Sequence, residues 1–460
     1  MEKLSSLVSR LQPSATLAMS QRSGELKAQG LDIINLSVGE PDFNTPEHIK
    51  EAAKAAIDDN QTRYTAVPGT MALREAICEK LLRENHLEYT PAQISVGNGA
   101  KQSVCNTVMA IVSPGEEVII PAPYWVSYPQ MVLMADGKPV FVEAKIEQDF
   151  KLTPAQLEAA ITERTRAIIL CAPSNPTGSV YTQEELEALA EVLRRHPQVF
   201  VISDEIYEHI NYLGTHASIA LCEGMKERTA VINGVSKAYA MTGWRIGYVA
   251  APADIVKAIN KLQGRYTSNP GSISQAAALA AYKGPQDCVE EMRQAFQRRR
   301  DLIVRLAREI PGLEVNVPQG AFYLFPKCSA YFGKTVISDA FEADSRCVSE
   351  GCKCPDRSGT PLPTGGGAQE SEANLGGVPG RTLRTPSPSN GIVPDPGEWA
   401  GKTIKDSSDF AMYLLEVAHV ATVGGDAFGA PDCFRMSYAT SDANITEALA
   451  RIKQALELLR

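Results

Sequence analysis

Lys237 and Arg245 stand eight residues apart in the stretch Asn233–Tyr248, NGVSKAYAMTGWRIGY. Lys237 follows a short apolar run, 230–233, and the small Gly234; Arg245 lies between Trp244 and Ile246. Apolar surroundings disfavour an ammonium ion, so a lysine there gives up its proton more readily than one in water. The neutral amine can condense with a carbonyl. A guanidinium is a permanent planar cation that suits a phosphate. The pair therefore points to one ligand carrying both an aldehyde and a phosphate. Most lysines are only surface charges, so the reading needs support elsewhere in the chain.

Asp204 supplies some of it, closing the run Phe200–Ser203. A carboxylate there could ligate a metal, cap a helix or pair with a heterocyclic nitrogen. Only Glu205 has metal-ligand spacing, and adjacent residues of a strand point to opposite faces. Asp is also a preferred helix cap. With a Schiff-base lysine downstream, the stronger reading is an acid that keeps a pyridine nitrogen protonated, so the ring can accept the electrons of a carbanion. The ligand is then pyridoxal phosphate. Tyr207 and Asn175 could each bond its phenolic oxygen, although Asn is also a common turn residue. Gly99, Ala100 and Lys101 open a helix whose free N–H groups suit a phosphate, and Gly before a helix is also ordinary turn chemistry. Trp125 could stack on the ring or pack in the core. Arg435, in the otherwise uncharged CFRMSYAT, could clamp a carboxylate or form a structural ion pair.

These residues need a frame. Short apolar runs at 94–96, 117–120, 140–143, 167–171, 200–202, 230–233 and 247–250 alternate with helical patterns at 102–112, 154–162 and 183–195. That rhythm predicts an α/β fold with a mainly parallel sheet between helices, in which ligands gather at the carboxyl ends of strands. Upstream, 1–30 reads as a helix entered through a loop containing Pro13–Thr16, and 33–36 as a short strand; helices follow at about 46–57, with Thr45 as cap and Pro46 as its first residue, and at 70–84. Downstream, a charged helix at 285–310, strands within 313–325 and helices at 407–418 and 443–459 predict a second, smaller domain. Residues 345–400 hold ten Gly and eight Pro in 56 positions, with Trp399 as the one aromatic; such a composition predicts a disordered insertion. Cys347, Cys352 and Cys354 in it lack a nearby fourth ligand for zinc, so no metal site is expected.

The 460 residues are 44% hydrophobic and 22% charged with a formal net charge of −9, which disfavours nucleic acid or an anionic membrane as a partner. No apolar run approaches the ~20 residues that span a bilayer. The N-terminus has no apolar signal core and leaves little room for a transit peptide. Scattered cysteines in a chain of this size suggest a reducing compartment.

The motifs GEPDF, YTAVPG, NGAKQ, PAPYWVSYP, PSNPTG, SDEIYEHI, VSKAYAMTGWRIGY, GAFYLF and FRMSYATS, in this order, resemble class I aminotransferases of pyridoxal-phosphate fold type I. The likeness is strongest to the bacterial-type aspartate and prephenate aminotransferases, and it covers all but about 335–405. It implies a large domain, 46–285, with a seven-stranded sheet, and a small domain from 1–45 and 286–460. It implies that Lys237 is the Schiff-base lysine and proton shuttle, that Asp204 pairs with the ring nitrogen, and that Asn175 and Tyr207 bond the phenolic oxygen. Trp125 would stack on the ring, with Gly99, Ala100, Lys101 and Arg245 around the phosphate. Tyr64 would reach the phosphate of a neighbouring subunit, making an obligatory homodimer. Gly39, Asn175 and Arg435 would hold the substrate α-carboxylate. Gly234 stands where the better-known branch places a hydroxyl, so Ser236, or Ser268 of the partner subunit, is a candidate for that contact. Lys101 and a hydroxyl from the Ser14–Thr16 loop would meet a distal carboxylate; Arg265 is a further cation that no motif fixes. The implied activity is ping-pong transamination between aspartate and 2-oxoglutarate through pyridoxamine phosphate, with prephenate amination as the alternative. An aromatic or alanine aminotransferase or a C–S lyase would share the cofactor residues. A transcription regulator on this fold would carry a DNA-binding domain ahead of GEPDF, which begins at Gly39. The expected location is cytoplasmic, or plastid if a transit peptide is missing from this sequence.

Overall fold

Seven short strands, most of them buried along their whole length, build the central sheet, as an interior sheet covered on both faces requires. The computed structural model describes residues 5–337 and 396–460. A two-residue strand, β1 (Ile34–Asn35), precedes the seven: β2 (Ile94–Gly97), β3 (Glu117–Ala122), β4 (Lys138–Glu143), β5 (Thr165–Cys171), β6 (Phe200–Asp204), β7 (Thr229–Gly234) and β8 (Gly247–Ala250). Their order is β2-β8-β7-β6-β5-β3-β4, and only β8 runs against the rest. The expected mainly parallel sheet is present. Strand β4 is the half-exposed edge, with Lys138 and Pro139 at its start, residues that discourage pairing with another chain.

Two helices, α1 (Ser6–Arg10) and α2 (Ala15–Ala28), come first in the chain, and the helices that cover the two faces are α3 (Glu47–Asp58), α4 (Met71–Asn85), α5 (Ala100–Ile111), α6 (Tyr128–Met134), α7 (Pro154–Ala160), α8 (Gln183–Arg195), α9 (Ala253–Tyr266) and α10 (Ser272–Lys283). Helix α8 shows how local sequence sets them. Thr182 accepts from the Glu185 N–H and the Glu185 side chain reaches back, a capping box worth about 1 kcal/mol. Leu186, Leu189, Val192 and Leu193 then fall on one buried face, each contributing roughly 1.5–3 kcal/mol of burial.

A second layer gathers around α11 (Asp287–Arg308), β9 (Tyr323–Leu324), α12 (Ser407–Glu416), β10 (Val420–Ala421), β11 (Val423–Gly424), β12 (Phe434–Ser437) and α13 (Asp442–Leu456). Strands β11, β12 and β9 pair antiparallel, and β1 pairs parallel with β10. One apolar cluster, including Phe296, Phe322, Phe410, Phe434 and Ile452, fills this layer.

Three expectations change. The N-terminal segment forms two helices, and Thr16 lies in the first turn of α2, with Ser14 at its cap; Pro13 separates the helices without extending a loop to Thr16. Within 313–325 only Tyr323–Leu324 is a strand, because β12 offers pairing partners to those residues alone. Trp399 is buried against the ring of Tyr413 and donates its Nε1–H to Glu416 Oε2 at 2.9 Å, so the end of the Gly- and Pro-rich segment belongs to the packed layer. The rest of that segment up to residue 395, including Cys347, Cys352 and Cys354, lies outside the described residues.

Candidate active site

The carboxyl ends of β2, β3, β5, β6 and β7 share one edge of the sheet, and reversed β8 brings its beginning to the same edge. Residues far apart in sequence meet there around a cavity of about 310 Å³. Ala100 and Lys101 follow β2, Trp125 follows β3, Asn175 follows β5, Asp204 ends β6, Ser236 and Lys237 follow β7, and Arg245 precedes β8; all line the cavity. Arg435 enters from β12, Gly39 from the loop after β1, and Thr16 from α2.

Lys237 donates from Nζ to the Gly39 carbonyl at 2.7 Å. Burial lowers its pKa to about 8, against the pull of the Glu40 carboxylate and with help from Arg245 and Arg435. A useful fraction of neutral amine therefore exists near neutrality, as carbonyl condensation requires. Asp204 is buried, and burial raises its pKa to about 6. Its Oδ2 accepts from Tyr128 Oη at 2.7 Å and its Oδ1 from the Ile206 N–H at 3.3 Å. No cation among the described residues pairs with it.

Arg435 is the converse case. It is buried, and Nη1 donates to Asn175 Oδ1 at 2.8 Å and Nη2 to the Ser37 carbonyl at 2.6 Å. Its centre lies 4.6 Å from the Tyr323 ring and 4.9 Å from the Phe428 ring. Nε has no partner, and no carboxylate among the described residues neutralises the group. A buried carboxylate without a cation and a buried guanidinium without an anion border one cavity. Burying either charge alone is costly, and a ligand bringing a cation to Asp204 and an anion to Arg435 relieves both.

The phosphate end depends on two close approaches. Gly99 caps α5 at φ +82°, and a Cβ there would collide with the Arg245 guanidinium. A Cβ on Gly247 would collide with the backbone of Gly99 and Ala100. The glycines let the α5 N-terminus, whose first N–H groups have no helical acceptor, sit beside Arg245. That side chain is aimed by bonds to the Thr242 and Asn98 carbonyls, at 2.8 and 3.2 Å. Donor set, amine and carboxylate all fit pyridoxal phosphate.

Gly99 itself sits behind Arg245, off the cavity wall, and Tyr64 is 92% exposed and does not reach the cavity. Ser268 and Arg265 do not line it either. Tyr128, Cys171, Ile206, Thr242 and Tyr323 line it although their spacing had not singled them out. Of these, Tyr323 shares a 2.7 Å hydrogen bond with the Tyr207 hydroxyl; GAFYLF was a motif whose tyrosine had no assigned task. Glu205 faces away, as adjacent strand positions require, and bonds Ser203, Ser218 and His216 at 2.8, 2.7 and 2.8 Å. Glu205, Glu208 and His216 bring ligand-type atoms within 4.8 Å of one another, but Lys80 already pairs with Glu208.

The model of the family described as aminotransferase class I and II matches residues 31–452. The chain belongs to this family. It is therefore an aminotransferase, and its cofactor is pyridoxal phosphate. It is 47% identical over 454 residues, 98% of each chain, to the aspartate/prephenate aminotransferase of Cereibacter sphaeroides. It is 44% identical to the bifunctional aspartate aminotransferase and glutamate/aspartate-prephenate aminotransferase of Petunia hybrida, over 99% of this chain and 83% of that one. The crystal structure of the aspartate aminotransferase of Rhizobium meliloti matches the whole of both chains with a TM-score of 0.84 and 42% identity. The fold of the aminotransferase is thus fold type I. Among the described residues no helix is long and apolar enough to cross a membrane.

Proposed function

We propose that this aminotransferase transfers the amino group of aspartate to 2-oxoglutarate in two half-reactions. The observation that carries the reading is the pair of uncompensated buried charges, Asp204 and Arg435, on either side of the Lys237 amine. Bound pyridoxal phosphate supplies an aldehyde for the substrate amine and a protonated ring that draws off the electrons of the broken Cα–H bond. Asp204 would hold the proton on the ring nitrogen. Arg435, oriented by Asn175, grips the substrate α-carboxylate, and Gly39 closes that side. Lys237 would take the substrate's Cα proton at Nζ and hold it for return on the same side of the cavity. Asn175 and Tyr207 would bond the phenolic oxygen, Trp125 would cover the ring face, and Ala100, Lys101, Ser236 and Arg245 would hold the phosphate, with Gly99 behind Arg245 making room for that side chain.

Acidic substrates need a second cation. Lys101 Nζ lies 5.0 Å from the centre of the Trp125 ring, and Thr16 and Ser14 share a 2.9 Å hydrogen bond at the cavity mouth. Partial burial, and then Arg245, push the Lys101 pKa down, a cost that an added carboxylate reverses. The same Lys101 and Thr16 pair favours a second reading, amination of prephenate with aspartate as donor, because prephenate also carries a distal carboxylate. The prediction is that Lys101→Gln lowers kcat/KM for aspartate and 2-oxoglutarate by about 10²-fold and for alanine and pyruvate by less than about threefold. Equal losses for both pairs would restrict Lys101 to the cofactor.

We also read residues 1–45 and 286–460 as one small domain and 46–285 as the large one. The backbone bonds from Leu36 to Ala421 and Ser437 support this, since they tie the N-terminal segment to the C-terminal layer. The exposed side chains of Tyr64, Met71 and Tyr266 support a homodimer in which Tyr64 completes a neighbour's phosphate site. Seven free cysteines among the described residues support a reducing, cytoplasmic compartment.

A further inference from the structure

Asp204 can do its work only if it stays ionised in a place that disfavours ionisation, and the structure shows what opposes that penalty. Its carboxylate is faced by Tyr128 from α6, by the Cys171 thiol from β5 and by Lys237 beyond β7, while Glu205, the next residue along, faces away but is near enough to be felt as charge. Lys237 is committed to the Gly39 carbonyl. The Cys171 thiol is held protonated, burial pushing it up to about 12. Glu205 adds like charge. The Ile206 N–H bond, at 3.3 Å, is long. Tyr128 alone offers a short side-chain bond, Oη to Oδ2 at 2.7 Å, and its ring is fixed edge-on to Trp125 with centroids 5.3 Å apart. Burial raises the Tyr128 pKa well above the ordinary phenol range, so the hydroxyl keeps the proton it donates.

We propose that Tyr128 is a positioning residue which, through its hydroxyl on Oδ2, keeps Asp204 ionised and leaves Oδ1 turned toward the cofactor ring nitrogen. The inference rests on the reading of Asp204 as the ring-nitrogen partner. Tyr128 touches neither substrate nor the reacting atoms in this role. It acts by replacing part of the hydration that the buried carboxylate lost, and hydrogen bonds to a charged group are the strong ones in a protein interior.

The test is the binding of pyridoxamine 5′-phosphate to the apoprotein, followed by protein fluorescence across pH. This ligand keeps the ring nitrogen but cannot condense with Lys237. Tyr128→Phe keeps the ring and its packing and removes only the hydroxyl. It is expected to weaken binding at neutral pH by about tenfold, and to move the acidic limb of the binding profile up by about one pH unit. The direction follows from the loss of a bond that favours the ionised carboxylate. In an Asp204→Asn background the same change is expected to alter affinity less than twofold, because the charge it served is gone. Unchanged affinity and an unmoved limb in Tyr128→Phe, or an equal loss in the Asn background, would overturn the proposal. Should the Phe variant fail to fold, 3,5-difluorotyrosine at position 128 keeps the hydroxyl as a stronger donor, and the acidic limb is then expected to move down; an upward shift or none contradicts the role. Failure of the wild-type apoprotein to bind pyridoxamine phosphate at all would instead reject the ring-nitrogen reading of Asp204.

Discussion

Lys237→Ala is expected to lower kcat for aspartate and 2-oxoglutarate by at least about 10⁴-fold, since it removes both the group that condenses with the aldehyde and the base that moves the Cα proton. It is also expected to abolish the visible absorption of the bound aldehyde that depends on its covalent link to the protein. The geometry predicts this because Nζ is, among the described residues, the one lysine nitrogen lying between Gly39, Tyr207 and Phe322, 2.7 Å from the Gly39 carbonyl. Lys101 is held elsewhere on the cavity wall, its Nζ 5.0 Å from the centre of the Trp125 ring. Lys237→Arg is expected to be equally inactive, because a guanidinium stays protonated and cannot condense. Steady-state rates and one absorption spectrum decide it; retention of a tenth of the activity and of the spectrum in either variant would remove Lys237 from the centre of the mechanism.

Asp204→Asn is expected to cost about 10³-fold in kcat, in the range found when a preorganised charge is deleted from a site. Asn fills the same volume, and its single oxygen can still accept one of the two bonds that Tyr128 and the Ile206 N–H make to Asp204, so the fold has little reason to change. What it lacks is the charge that keeps a proton on the ring nitrogen. Cofactor retention during dialysis should fall alongside kcat, while the Tm of the apoprotein should not fall, because an uncompensated buried carboxylate has been removed. A kcat within tenfold of wild type would mean that Asp204 is a structural residue at a strand end.

The parts of this site that sequence reveals are those with a local signal. Lys237, Asp204, Asn175 and the Gly99–Lys101 turn each follow an apolar run, and parallel strands carry such residues to one edge of the sheet. Arg435 is visible as a lone charge in an apolar stretch, and among the described residues no carboxylate pairs with it. Tyr128 was hidden because its partner lies 76 residues away on another element, and nothing in PAPYWVSYP distinguishes its second tyrosine. Tyr323 was hidden for the same reason, its bond to Tyr207 crossing 116 residues from one layer to the other. In the sequence Thr16 reads as a loop residue because Pro13 and Ser14 are turn and cap formers; in the fold Ser14 caps α2 and Thr16 lies in its first turn. Helices α9 and α10, between the last strand and the charged helix, start after Pro252 and Gly271 with no side-chain cap, so neither announces its start as α8 does at Thr182. The burial of Trp399 shows that composition averaged over a long window hides a residue that packs at its end.

The most direct test of the account supplies purified protein, pyridoxal phosphate and aspartate, and compares initial rates on 2-oxoglutarate and on prephenate at matched concentrations. The account predicts rapid formation of oxaloacetate and glutamate from the first pair; a comparable rate on prephenate would add arogenate formation, and a negligible one would leave Lys101 and Thr16 permissive but insufficient. Turnover of alanine or an aromatic amino acid with no turnover of aspartate would contradict the account, because the cavity would then be selecting against the second carboxylate that Lys101 is placed to meet.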